Sequence, residues 1–193
     1  MEITVVDGDI TQVAANALIA PVNSGSNWFG GIDSVIKNVA GNVFHNQLAK
    51  RLSFLTEPYH GKTVVVRAFD AHVASIHIGH LSRLAFRTVV FVVDDLEGPL
   101  RDIVCAGLCA AENTPGVHYV TMPLMRTGAM LGKVESGIIE VFNETVAGIR
   151  QFQQQGRPCV PTTLRRLTFV VYNEPSTAGA LRKVLNVAGL LEY

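Results

Sequence analysis

The chain is poor in charge. Charged residues make up 17% of its 193 positions, and 16 Lys and Arg balance 16 Asp and Glu, leaving a formal net charge of zero. Without an excess of either sign, no global field draws the protein to nucleic acid or to an anionic membrane. The densest basic cluster is Arg165-Arg166, which reads as a solvated strand start, with a local basic patch as the alternative. Cysteine is scarce as well. Cys105, Cys109 and Cys159 make no paired framework, and the first two, four apart beside alanines on an expected helix, read as small core thiols. A zinc site needs more ligands at tighter spacing. The nearest metal-like pair, His77 and His80, has no carboxylate or cysteine nearby, so neither a metal nor another cofactor is expected. No apolar run is long enough to span a bilayer, and no membrane is expected among the partners. The opening Met1-Glu2-Ile3-Thr4-Val5-Val6 is acidic and strand-like, unlike a signal peptide. A reduced, cytoplasmic setting is expected. Absent too is a G-x-S-x-G elbow, and no histidine has a placed acid partner, which leaves little support for nucleophilic catalysis; nor is there a Walker loop or a G-x-G-x-x-G followed by an acid. There is no internal repeat and no low-complexity linker. Gln151 to Pro161, the nearest approach to a linker, reads as a surface loop within one domain.

What is present is apolar. Hydrophobic residues make up 48% of the sequence, enough for a single domain over 1–193 with a real core. β-branched or unbroken apolar runs predict strands at Ile3 to Val6, Ala17 to Val22, Lys62 to Arg67, Ser75 to His80, Thr88 to Val93, Val117 to Met122 and Leu167 to Tyr172. Helical spacing predicts helices at Ile32 to Ala40, Phe44 to Leu55, Leu100 to Glu112, Val134 to Gln153 and Thr177 to Leu185. The unbroken run Thr88 to Val93 reads as a central parallel strand buried on both faces. Beyond it, strands and helices alternate, which implies parallel strands, right-handed crossovers and helices on both faces. The expected architecture is a three-layer α/β/α sandwich on a mixed, mostly parallel central sheet.

The residues that could carry chemistry stand at predicted strand ends, which in such a sheet line one crevice. Asp9 follows the first strand; it can accept from an amino group such as that of adenine, or make an Asx-turn or helix cap. Asn23 ends the second strand, where its amide can address a sugar hydroxyl or a water, or serve an ordinary turn. Gly30-Gly31 precede a helix whose first amides form an anion site, and Asp33 can cap that helix or orient a water. A second glycine loop, Pro123 to Gly132, joins a buried strand to a long helix, and its amides could cradle a diphosphate.

These residues resemble those of the macro domains, the ADP-ribose-binding family. Gly8-Asp9-Ile10-Thr11 is similar to the family's G-D-I-T, Ala20-Pro21-Val22-Asn23 to its N-A-A-N, and Gly30-Gly31-Ile32-Asp33 to the end of G-G-G-G-V-D. Pro123 with Thr127-Gly128 resembles the loop P-x-x-S-T-G-I-Y-G-F, and Leu167 to Asn173 the last strand. The resemblance follows the element order over nearly the whole chain and is weakest from Leu52 to Leu84.

The resemblance implies roles. Asp9 would bond the adenine amine, with Ile10 beside it, and Tyr172 or Asn173 would border the base. Gly30, Gly31 and Ile32 would contact the proximal phosphate. Thr127, Gly128, Ala129 and Met130 would wrap the diphosphate and distal ribose. In the hydrolytic branch, Asn23 and Asp33 would position substrate and water at the anomeric carbon. The implied function is binding of ADP-ribose or a related nucleotide, with hydrolysis of an ADP-ribosyl linkage or ester, of the mono-ADP-ribosyl hydrolase or O-acyl-ADP-ribose deacetylase type. The alternative is a non-catalytic binding module. An ADP-ribosylated protein is a further implied partner. The chain departs from the pattern at Ala20, where the first asparagine stands, and at Trp28 and Phe29, where two glycines stand. These aromatics could stack on a ligand ring, cover the distal ribose, or pack on the neighbouring helix. Arg126 replaces a serine; it could pair with a phosphate or stand in solvent.

Overall fold

In a computed structural model, the chain is described over residues 1–22, 31–41, 56–59, 62–65, 73–77, 85–155 and 162–191. The helix expected from Phe44 to Leu55 lies outside these residues, as does Cys159. Eight strands are described: β1 (Glu2–Asp7), β2 (Ala17–Val22), β3 (Thr56–Tyr59), β4 (Lys62–Val65), β5 (Val73–His77), β6 (Thr88–Val93), β7 (Tyr119–Pro123) and β8 (Arg166–Val171). The described helices are α1 (Ile32–Ala40), α2 (Leu100–Glu112), α3 (Ile138–Gln155) and α4 (Pro175–Val187).

Six strands form one sheet in the order β1-β8-β7-β2-β6-β5, while β3 and β4 pair as a separate antiparallel ribbon. The first five are parallel neighbours and β5 runs antiparallel on the edge. The sheet is therefore mixed and mostly parallel. Every residue of β6 is buried, as its unbroken apolar run requires of a strand covered on both faces.

Side chains alternate between the two faces of the sheet, and two apolar clusters result. Ile3, Val5, Ile19, Val90, Val92, Met122 and Phe169 face α2, α3 and α4, which contribute Leu108, Phe142, Ile149 and Leu181 among others. Leu18, Ala20, Val22, Phe91 and Val93 face the other way and pack with Ile36 of α1 and with Ile10. Each fully buried side chain of this size contributes about 1.5–3 kcal/mol relative to exposure. The molecule is a three-layer α/β/α sandwich. The three helices after β6 lie together on one face, however, and do not alternate between faces. The strand order explains this for α2 and α3: from β6 to β7 to β8 the chain steps always in one direction across the sheet, and right-handed crossovers in one direction keep to one face; α4, after the last strand, packs on β1 and β8 on that same face. From β2 to β6 the chain steps the opposite way, which puts α1 on the far face.

Cys105 is buried and Cys109 partly buried on α2, and neither is in a disulfide. Arg166 opens β8, pairs with Glu2 at 2.8 Å and lies 5.7 Å from the Tyr119 ring centroid. The Arg165-Arg166 pair thus sits at the strand-start edge of the sheet. No described helix is long and apolar enough to cross a membrane.

Candidate functional site

The reversal of direction between β2 and β7 makes a topological switch point. The helices that follow these adjacent strands, α1 and α3, lie on opposite faces, an arrangement that leaves a crevice at the carboxyl ends of the strands, where open α/β sheets bind ligands. Because β1, β8, β7 and β2 are consecutive and parallel, four strands end at that edge. At about 4.8 Å per strand spacing they span about 14 Å.

At one end, Asp9 follows β1. Its Oδ1 accepts from Thr11 N (2.9 Å) and Thr11 Oγ1 (2.8 Å), capping a single 3-10 turn over Ile10–Gln12. Asp9 is exposed, and its second oxygen meets no donor among the described residues. The cap and a ligand contact are therefore compatible. Ile10 is buried in the apolar cluster beneath α1. The neighbouring loop after β8 is tied to β1, since Gly8 N donates to Val171 O (2.9 Å) and Glu174 N to Asp7 Oδ1 (3.0 Å). Between these ties stand Tyr172, 69% exposed, and Asn173 with φ +53°, a left-handed conformation that asparagine tolerates.

The loop after β7 is exposed from Gly128 to Val134. Thr127 donates its hydroxyl to Leu124 O (2.9 Å), and a 3-10 turn follows over Gly128–Met130. Arg126 and Gly128 have φ of +56° and +59°. The amide groups of Thr127, Gly128 and Ala129 meet no acceptor among the described residues. Consecutive free amides around left-handed residues form an anion-binding concavity.

Arg126 departs from both sequence readings. It stands neither in solvent nor open to a phosphate: its side chain is 1% exposed. Nε and Nη2 donate to Asp94 (3.0 and 2.7 Å), and Nη1 donates to Glu135 Oε1 (2.8 Å). Burial pushes the guanidinium pKa down, but the two carboxylates outweigh it and hold it above its ordinary value. Loss of one partner from such a buried cluster costs about 3–5 kcal/mol. Asp94 and Glu135 were missed in the sequence. The position of Asp94 directly after the Thr88 to Val93 run was the available signal; Glu135 gave none.

Helix α1 packs against the turn after β1. Its N-cap is Gly31, with φ +64° and no side-chain cap bond. Asp33 is therefore not the capping residue; it stands in the first turn, one position after Ile32, and its side chain lies outside the described set. The first amides of α1 have no partner within the helix. Asn23, Trp28, Phe29 and Gly30 lie outside the described residues. Of the predicted site residues, Asp9, Ile10, Gly31, Ile32, Thr127, Gly128, Ala129, Met130, Tyr172 and Asn173 belong to the loops and helix start that frame the crevice. The described residues contain no group of three or more His, Cys, Asp or Glu able to hold a metal ion.

No protein-family model matches the chain, and comparison with curated proteins gives no match. Solved structures do resemble it. A Trypanosoma brucei macrodomain in complex with ADP-ribose superposes with a TM-score of 0.67 at 17% identity, over 95% of this chain and 69% of that one. An Oceanobacillus iheyensis macrodomain with ADP superposes with a TM-score of 0.67 at 18% identity, over 95% of this chain and 89% of the other.

Proposed function

From the premise that this chain has the macrodomain fold, we propose that it binds ADP-ribose, or a closely related nucleotide, in the crevice at the ends of β1, β8, β7 and β2. The observation that carries this reading is the run of amides at Thr127, Gly128 and Ala129 that meet no acceptor among the described residues, two strands away from the Asp9 carboxylate oxygen that meets no donor among them. An anion cradle and a base-recognising acceptor, separated by strand spacings, fit a nucleoside diphosphate. Tyr172 offers an exposed ring beside the base end. The two solved macrodomains that hold ADP-ribose and ADP support the same ligand class.

We further propose that the bound nucleotide is a substrate, hydrolysed at an ADP-ribosyl linkage or ester carried by a protein or small molecule. Asn23 and Asp33 are the residues assigned to this step, positioning the distal ribose and a water. A water held by a carboxylate near the anomeric carbon is the needed nucleophile. The test is release of ADP-ribose from a mono-ADP-ribosylated protein. Asp33→Ala is expected to lower the rate at least 100-fold, within the range for general-base catalysis, while ADP-ribose still binds. Equal rates in the wild type and the variant contradict the assignment.

One observation favours a non-catalytic binding module. Ala20, which stands where the resembling pattern has an asparagine, is fully buried in the apolar cluster under α1. An amide at that place is exchanged for a methyl group. Tight binding without turnover in the same assay selects this second reading.

A further inference from the structure

Arg126 is fixed at three points, two on a carboxylate that follows β6 and one on a carboxylate further along its own loop. Asp94, which takes Nε and Nη2, directly follows β6 and donates its own amide to Val22 O (2.7 Å) at the end of β2. Glu135, which takes Nη1, also accepts from Leu100 N (3.0 Å) at the start of α2. One buried guanidinium therefore joins the loop after β7 to two strand ends and to a helix start. None of its charge is turned toward the crevice, because the side chain is 1% exposed. Its backbone is left-handed at φ +56°, a conformation that a residue with a β-carbon adopts at a cost and keeps only where its surroundings over-determine it. The three residues that follow carry the amides that meet no acceptor among the described residues.

We propose that Arg126 is a positioning residue, which with Asp94 and Glu135 holds Thr127, Gly128 and Ala129 in the anion-cradling conformation without touching the ligand. The inference rests on the reading of the crevice as a nucleotide site. The base end does not depend on this clamp. Asp9 is held by Thr11 on the far side of β8, so the clamp affects the diphosphate and leaves the base contact alone. Its effect is therefore ligand-selective, which a general loss of structure is not.

The experiment titrates ADP-ribose, ADP and adenosine into the wild type, Arg126→Lys and Glu135→Gln, with thermal melts of each. Lysine keeps the charge but replaces the planar fork with one ammonium that cannot bridge both carboxylates as arginine does. Arg126→Lys is expected to weaken ADP-ribose and ADP about tenfold and to leave adenosine within about twofold, the loss of one charge-assisted contact's worth of affinity. Glu135→Gln keeps an oxygen facing Leu100 N and Arg126 and removes only charge. It is expected to give the same pattern with a smaller loss, and it decides the matter where Arg126→Lys does not fold. Parallel loss of all three ligands, or no loss of any, overturns the positioning role. A wild type that binds ADP but not ADP-ribose overturns the ADP-ribosyl hydrolase reading alone, and the clamp is then judged on ADP. A wild type that binds none of the three overturns both.

Discussion

The carboxylate of Glu112 accepts from Thr162 Oγ1 (2.6 Å), Thr163 N (2.7 Å) and Leu164 N (3.2 Å), so one side chain at the end of α2 fixes the approach to β8. Burial pushes its pKa up, but these three hydrogen bonds outweigh burial and hold it below its ordinary value near 4.5. A carboxyl depressed in the folded state contributes stability that is fully present above the unfolded value and lost as pH falls through the folded one. The wild type is therefore expected to lose this part of its stability below about pH 4.5, and Glu112→Gln to be less stable at pH 7 with a flatter acid limb. Chemical denaturation at several pH values measures both; identical pH profiles contradict the assignment. At the same scale, local chemistry was legible in the sequence and distant chemistry was not. The Asp9 cap reaches only to Thr11, and an Asx-type cap is written in adjacent residues. Arg126 finds its partners 32 positions earlier and 9 later, and nothing in the residues around it announces a burial that depends on the packing of β6 against β2.

Elements bounded by pattern were readable to the residue. The strand at Ala17–Val22, the strand at Thr88–Val93 and the helices at Ile32–Ala40 and Leu100–Glu112 have the expected limits, because apolar runs and helical stripes record burial directly. Ends set by capping were displaced. The helix expected from Val134 starts at Ile138, where Ser136 N and Oγ both donate to Glu140 Oε2 (2.6 and 2.7 Å). The last helix starts at Pro175, whose fixed φ suits the first helical turn. Strand β3 went unread, being short and carrying Pro58, a residue that argues against a strand. Close approach between elements is a further consequence of the fold that sequence hides. Gly148 lets α3 sit against α2: a Cβ there meets Arg101 O at 2.6 Å and Val104 Cβ at 2.8 Å. Gly148→Ala must push the helices apart, and is expected to cost about 1–3 kcal/mol despite the better helix propensity of alanine. Denaturant unfolding measures it; an unchanged or raised midpoint contradicts the close packing.

At the scale of the whole molecule, strand order decides where chemistry can occur. The change of direction between β2 and β7 opens the crevice, and the parallel strands β1, β8, β7 and β2 end at the same edge. The alternation of strands and helices after Thr88 implied the parallel sheet, but not that α2, α3 and α4 share a face, since that depends on the strand order. Among the described residues the edge presents a sequence of groups: a capped carboxylate with one oxygen unpartnered there, an exposed tyrosine ring, a turn whose amides meet no acceptor there, and a helix start at Gly31. Their spacing is that of the strands, so the affinity proposed for a nucleoside diphosphate would be a property of the fold expressed through a few loop residues. The central claim is tested most directly by calorimetric titration of ADP-ribose into the wild type and into Asp9→Asn, which keeps an oxygen for the Thr11 cap and removes the charged acceptor. One-to-one binding to the wild type, weakened about tenfold in Asp9→Asn at an unchanged melting temperature, is the predicted result. No binding to the wild type, or equal binding to both, would contradict it.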